Sequence, residues 1–154
     1  MRIRKSDLAD QQQIATFIRE TIRTVNLADY SEEHVLIWSN AISLEKLETR
    51  FHSVIQYVAD IDGQVVGVGD IRIDKGEIDF LYIHKNFVGK GIGTSLLEKL
   101  EDSAKKSGLK TLRVTSSITA KPFFERRGFL LYDEYAKRMN GKDFTVFTLM
   151  KDLS

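Results

Sequence analysis

A chain of 154 residues, 42% of them hydrophobic and 29% charged, has enough apolar surface for its own core, and one domain over residues 1–154 is expected. The lack of cysteine excludes thiol nucleophiles, disulfides and thiolate metal sites, and His34, His52 and His84 lack the close pairing of a zinc site, so no metal is expected. A formal net charge of +1 gives no general reason for nucleic acid or an anionic membrane as partner; with no apolar stretch at the start and no run of membrane-spanning length, a soluble cytoplasmic protein is the expectation.

In chain order, Ile3–Lys5 reads as a short strand. Asp10 is expected to cap a helix whose Ile14, Phe17, Ile18, Ile22 and Val25 share one face. Residues 31–50 read as one or two helices starting at Ser31-Glu32-Glu33. Val54, Ile55, Tyr57 and Val58 then mark a strand, Asp62-Gly63 a hairpin turn, Val65 to Asp74 a second strand and Glu77 to Ile83 a third, together an antiparallel meander. Gly91 to Ser107 reads as a helix with Ile92, Leu96, Leu97 and Leu100 as its stripe, stopped by Gly108. Leu112 to Thr115 is a strand, and strand–helix–strand in this order favours a parallel crossover. Ala120 to Arg127 is a short helix that tolerates Pro122 in its first turn. Strands at 129–135 and 144–150 flank the turn Asn140-Gly141.

The informative stretch is Val88-Gly89-Lys90-Gly91-Ile92-Gly93-Thr94, between a strand and a helix. Glycine permits positive φ and close backbone approach, and the free N–H groups and dipole of a helix start favour an anion. A diphosphate is the natural guest. The nucleotide-hydrolase phosphate loop does not fit, because residue 84 is His and residue 91 is Gly, and the dinucleotide fingerprint fails because Thr94 and Leu96 stand where its third glycine belongs.

The loop resembles the coenzyme A loop of the GCN5-related N-acetyltransferases, Gln/Arg-x-x-Gly-x-Gly/Ala. Gly91 and Gly93 match, and Val88 stands where Gln or Arg is usual. A second stretch, Ser117 to Phe129, is similar to that family's Asn-x-x-Ala-x-x-Phe-Tyr-x-x-x-Gly-Phe, with Ala120, Phe123, Gly128 and Phe129 matching. Its Ala-Lys-Pro-Phe-Phe-Glu version looks like a bacterial subgroup of small acetyltransferases. Ser117 replaces the frequent Asn, and Phe124 replaces a Tyr whose hydroxyl often protonates the departing thiolate.

The resemblance implies an α/β (α+β) fold: a mixed, mostly antiparallel, twisted sheet of six or seven strands, flanked by about four helices, with a central splay between strands 77–83 and 112–116. It implies an acetyl-CoA-dependent transfer to a primary amine of a small molecule by direct attack in a ternary complex, by a monomer or homodimer. A protein or peptide acceptor, or a non-catalytic acyl-CoA sensor, is the alternative. It further implies a coenzyme site at Leu81, Tyr82, Ile83, Val88, Gly89, Lys90, Gly91, Ile92, Gly93, Thr94, Ser117 and Phe124, with the thioester oxygen facing a backbone N–H near Leu81 to Ile83. Phe123 reads more simply as core packing. Strand alternation sets Glu77 and Asp79 on one face, where a carboxylate in a half-buried cleft accepts a proton directly or through water. Glu77 lies at the spacing of the catalytic Glu of histone-type relatives. Tyr135 is the candidate for the missing acid, and His34, Trp38 and His52 are expected near the acceptor wall.

Overall fold

β1 (Arg2–Lys5), β2 (Ile55–Ile61), β3 (Gln64–Arg72) and β4 (Glu77–Ile83) are consecutive antiparallel neighbours in a computed structural model that describes residues 1–154. Short turns join β2 to β3 and β3 to β4 in this first half of the sheet, while three helices separate β1 from β2. Asp62 and Gly63, with φ of 50° and 86°, form the two-residue link between β2 and β3 that matches the twist of the strands it joins. β5 (Thr111–Ser117), β6 (Leu130–Met139) and β7 (Lys142–Asp152) complete a seven-stranded sheet of order β1-β2-β3-β4-β5-β7-β6, in which only β4 and β5 are parallel. β6 and β7 run past their expected ends and meet at Asn140-Gly141.

Five helices cover the sheet, one more than expected: α1 (Gln11–Thr24), α2 (Glu32–Asn40), α3 (Leu44–Phe51), α4 (Ile92–Lys106) and α5 (Lys121–Glu125). The Ser31 hydroxyl accepts the His34 N–H and starts α2 as expected. Asp10 does not cap α1. Its carboxylate accepts the Asp7 N–H at 2.7 Å and two bonds from Arg4 at 2.8 and 2.9 Å, so it ties β1 to the turn before the helix. The ion pair outcompetes the cap because Arg4 offers two donors in fixed geometry.

The core lies on both faces of the sheet. Ile14, Phe17, Ile18 and Ile22 of α1 meet Val58, Val65 and Val68 on one face. Leu97, Leu100 and Ala104 of α4 meet Ile71, Ile78, Leu112 and Leu149 on the other. Gly67 lets α4 lie flush on β3: a Cβ there would sit 3.0 Å from both Ile92 and Leu96.

Two irregularities position the site. The β3–β4 register steps from Gly69↔Leu81 to Ile71↔Ile78, so Asp79 and Phe80 together oppose the single Asp70, a β-bulge. β4 and β5 pair only at Glu77↔Arg113 and Ile78↔Val114, and beyond these residues the two strands part. The expected splay therefore opens between them.

Candidate active site

Beyond Ile78 the edge of β4 is bare. The His84 N–H donates to the Val66 carbonyl at 2.8 Å. Antiparallel alternation then turns Tyr82 toward β3, and the N–H and C=O groups of Leu81 and Ile83 into the splay. The Ile83 carbonyl accordingly accepts the Thr21 hydroxyl of α1 at 2.9 Å. The bulge fixes where this phase begins. At that point the Phe80 N–H donates 2.9 Å to the Asp70 carboxylate in place of a backbone carbonyl.

Asp70 is 0% exposed. Arg50 of α3 binds both its oxygens, at 2.8 and 2.7 Å, and Gln56 donates to it at 2.8 Å. Burial pushes the Asp70 carboxyl above its ordinary value against the pull of Arg50 and Gln56. Arg50 also stacks 3.6 Å over the Phe80 ring and reaches Asp79 Oδ2 at 2.6 Å, with Arg72 3.5 Å from the same oxygen. Both bulge residues are thus held from α3.

A cavity of about 220 Å³ occupies the splay. Ile78, Asp79, Leu81, Tyr82 and Ile83 of β4 form one wall, and Val114 and Ser117 of β5 with Thr119, Ala120, Phe123 and Phe124 form the other. Thr21, Val25, Asn26 and Trp38 close one end, Val88 and Gly93 the opposite end. Asp79 is its one charged side chain. Its Oδ2 carries the arginine contacts, and its Oδ1 receives no hydrogen bond. Burial raises the Tyr82 phenol above its ordinary value, so the hydroxyl is a neutral donor at any ordinary pH.

The glycine loop follows at the cavity's far end. Gly89 and Gly91 take positive φ, 81° and 82°, and Gly91 stands just before α4. The first amide to close a turn of α4 is that of Ser95, onto the Gly91 carbonyl, which leaves the amides of Ile92, Gly93 and Thr94 directed out of the helix start. Gly93 is small for another reason: a Cβ would press to 3.1 Å from the Phe123 ring. Arg127 donates to the Thr94 hydroxyl and stacks 3.8 Å over Phe123, with no carboxylate partner. Burial and the neighbouring Arg126 lower its pKa from the ordinary arginine value. The Thr119 hydroxyl is buried in the cavity wall without a hydrogen-bond partner.

The expected residues divide. Asp79, Leu81, Tyr82, Ile83, Val88, Gly93, Ser117 and Phe124 meet around the cavity, and Gly89, Lys90, Gly91, Ile92 and Thr94 form the adjoining loop and helix start. Phe124 is only 3% exposed, its ring edge-on to Phe123 and Phe129, while Phe123 also faces the cavity. Glu77 sits at the apex of the splay, half-buried, with the Thr115 hydroxyl 3.5 Å away and outside the cavity lining. Tyr135 lies on β6, away from the lining. Trp38 walls the cavity. His34 instead bonds the Asp143 carbonyl at 2.8 Å, and His52 meets the Phe51 ring edge-on. Thr21, Asn26, Thr119 and Arg127 are site residues that the sequence reading passed over. Only the odd polar residues among the apolar positions of the first helix hinted at Thr21.

Residues 26–150 match a family model described as an acetyltransferase (GNAT) domain. Over 148 residues the chain is 32% identical to the uncharacterized N-acetyltransferase YafP of Escherichia coli K12, covering 96% of this chain and 93% of that protein. It is 27% identical to a spermidine N(1)-acetyltransferase of Thermoplasma acidophilum, covering 94% of each. Among solved structures, a GCN5-related N-acetyltransferase from Rhodopseudomonas palustris matches with a TM-score of 0.93 at 28% identity, over 98% of this chain and 94% of that one. The PaiA N-acetyltransferase of Thermoplasma acidophilum, in complex with coenzyme A, matches in fold with a TM-score of 0.80 at 24% identity, over 98% of each chain.

Proposed function

Because the chain belongs to the GNAT acetyltransferase family and is an N-acetyltransferase that uses acetyl-CoA, we propose that its acceptor is a primary amine of a small molecule, seated in the splay beside Asp79. The observation that carries this reading is a single carboxylate in a small, mostly apolar cavity. Such a cavity offers one free carboxylate oxygen, Asp79 Oδ1, to an amine N–H and has little room for a folded polypeptide surface. The similarity to a protein named a spermidine N(1)-acetyltransferase supports the same class of acceptor.

Acetyl-CoA supplies the acetyl group as a thioester, whose thiol departs. The residues present suit it. The bare edge of β4 offers backbone partners to an extended amide-containing chain, and the orphaned Thr119 hydroxyl offers one more. We assign the diphosphate to the Gly89–Thr94 loop, where free amides converge at the positive end of α4. Arg127, a half-buried cation with no carboxylate of its own, adds charge beside it.

An amine attacks only with its lone pair free, so a proton must leave it. We assign Asp79 Oδ1 to bind and orient the amine, and Glu77 to take the proton through water along the splay. The Leu81 N–H, aimed into the gap, is the donor for the oxygen that gains charge during attack. Phe124 cannot return a proton to the thiol. The thiol therefore departs as a thiolate and takes its proton from water.

The test is a panel of polyamines, aminoglycosides, amino acids and peptides, read by thiol release from acetyl-CoA. Small cationic amines are expected to give the highest kcat/KM. Turnover confined to peptides or protein lysines would overturn the reading.

A further inference from the structure

Neither the coenzyme nor the proton assignments above use Asn26. It lies just past α1 and, with Thr21, Val25 and Trp38, closes the end of the cavity away from the glycine loop. It is 6% exposed. Its backbone carbonyl accepts the Asp29 and Tyr30 N–H groups at 3.0 and 3.1 Å, which fixes the turn it begins. Its neighbours in the lining are matched within the chain. The Thr21 hydroxyl donates to the Ile83 carbonyl at 2.9 Å and the Ser117 hydroxyl accepts the Ala120 N–H at 3.1 Å, whereas the Asn26 side-chain amide bonds to nothing in the protein.

A buried amide is satisfied as a rule, because an unpaired N–H or C=O has lost its hydration for nothing. The unpartnered side-chain atoms that protein encloses completely are Ser6 Oγ, Gln11 Oε1 and Thr119 Oγ1. The Asn26 amide is not one of them, so it opens onto accessible space, and the cavity is the space that Asn26 lines. It is the only side-chain amide there, and it offers one carbonyl oxygen and two N–H groups without charge.

The charges of the site limit what can lie beside it. The Asp70 and Asp79 carboxylates face the Arg50 and Arg72 guanidinium groups, so this cluster is balanced before any ligand arrives. It has a free oxygen for one amine and no second anion for another cation. The α1 end supplies none either, since Thr21, Val25, Asn26 and Trp38 are uncharged. Val25 and Trp38 instead give apolar surface suited to a short carbon chain.

We infer that Asn26 is a specificity-determining residue of the acceptor site, and that the acceptor is an amine carrying one uncharged hydrogen-bonding group, a hydroxyl or a carboxamide, at the far end of a short chain. The inference rests on the small-molecule reading above and narrows it. Asp79 Oδ1 receives the amine. Asn26 receives the second group, donating to its oxygen and accepting from its O–H or N–H. A second cation would meet the Asn26 N–H groups with no anion to balance it, and a plain alkyl chain would leave the amide unpaired.

Amines of equal chain length that differ only at the far end test this: propylamine, aminopropanol and diaminopropane, read by thiol release from acetyl-CoA. The parent is expected to favour aminopropanol over either competitor by roughly tenfold or more in kcat/KM. Asn26→Leu keeps the size and removes the amide, and is expected to bring aminopropanol and propylamine close to equality. Asn26→Asp supplies the missing anion and is expected to shift the preference toward diaminopropane by roughly tenfold. The ratios are the readout, because a merely structural disturbance lowers all the amines alike. A parent that treats aminopropanol and propylamine equally would overturn the inference, as would either variant that keeps the parent's ratios. Turnover confined to peptides strikes the small-molecule reading itself, and this inference with it. Turnover of the amines without these preferences strikes the Asn26 assignment alone.

Discussion

Asp79 and Glu77 differ by two positions and by environment. Two guanidinium groups hold one oxygen of Asp79 and leave the other to the cavity, while Glu77 sits behind it at the apex of the splay. The proposed division of labour makes their variants distinguishable. Asp79→Asn should raise KM for a cationic amine more than it lowers kcat, because it removes attraction to the bound acceptor. Glu77→Gln should lower kcat by roughly 10²-fold, the scale of general base catalysis, and the loss should shrink as pH rises and more amine is already neutral. Steady-state kinetics against pH, with coenzyme affinity measured by calorimetry as a control, checks both. A Glu77→Gln enzyme with full kcat at neutral pH would remove Glu77 from the mechanism. The loop glycines separate in the same way. Gly91→Ala meets no neighbour but forces a left-handed backbone on a side chain, costing roughly 1 kcal/mol. Gly93→Ala has ordinary backbone and presses on Phe123, so its effect should fall on acetyl-CoA affinity more than on melting temperature.

At the scale of elements, the bulge in β4 depends on a charge buried by design of its neighbours. Removing Arg50 leaves the Asp70 carboxylate in the core without its bidentate partner, and Arg50→Ala should cost about 3–5 kcal/mol of stability. An acid whose folded pKa is raised loses stability as pH rises from its unfolded value of 3.8 through the folded value. The loss of Arg50 raises that folded value further, so the deficit of the variant should be fullest at neutral pH and shrink toward acid; urea unfolding at several pH values measures it. Asp10 behaves oppositely. Burial opposes its ionisation, but hydrogen bonds from Arg4 and the Asp7 amide hold the carboxyl below 3.8, so its contribution is full above that value and fades as pH falls through the folded one. These same charges mark where sequence reading stopped. β4 and α4 were legible almost to the residue, because alternation and glycine punctuation govern them. The bulge was not, since it arises from an aspartate inside an otherwise apolar strand pairing with an arginine twenty positions away. β6 was read too short because its last residues, Ala136 to Arg138, are held by the ladder to β7 and by no apolar alternation. Thr21 and Asn26 reach the cavity only through tertiary placement of the end of α1.

At the scale of the molecule, β1–β4 and β5–β7–β6 are two leaves of one sheet, sewn together by two residue pairs and the span of α4. A strand-like ligand laid along the inner margin of β4 replaces the missing stitches. Its binding is then a mechanical event as well as a chemical one: the leaves lose freedom to rock against each other, and the whole sheet becomes a single plate. Amide hydrogen exchange reads this directly. The Leu81 and Ile83 amides should exchange quickly in the free protein and slow when acetyl-CoA is added, while the Tyr82 amide, already committed to β3, changes little. Protection should also spread to α5, which rides on the far leaf, so that loading the donor stiffens a helix on the opposite bank of the cleft before any amine arrives.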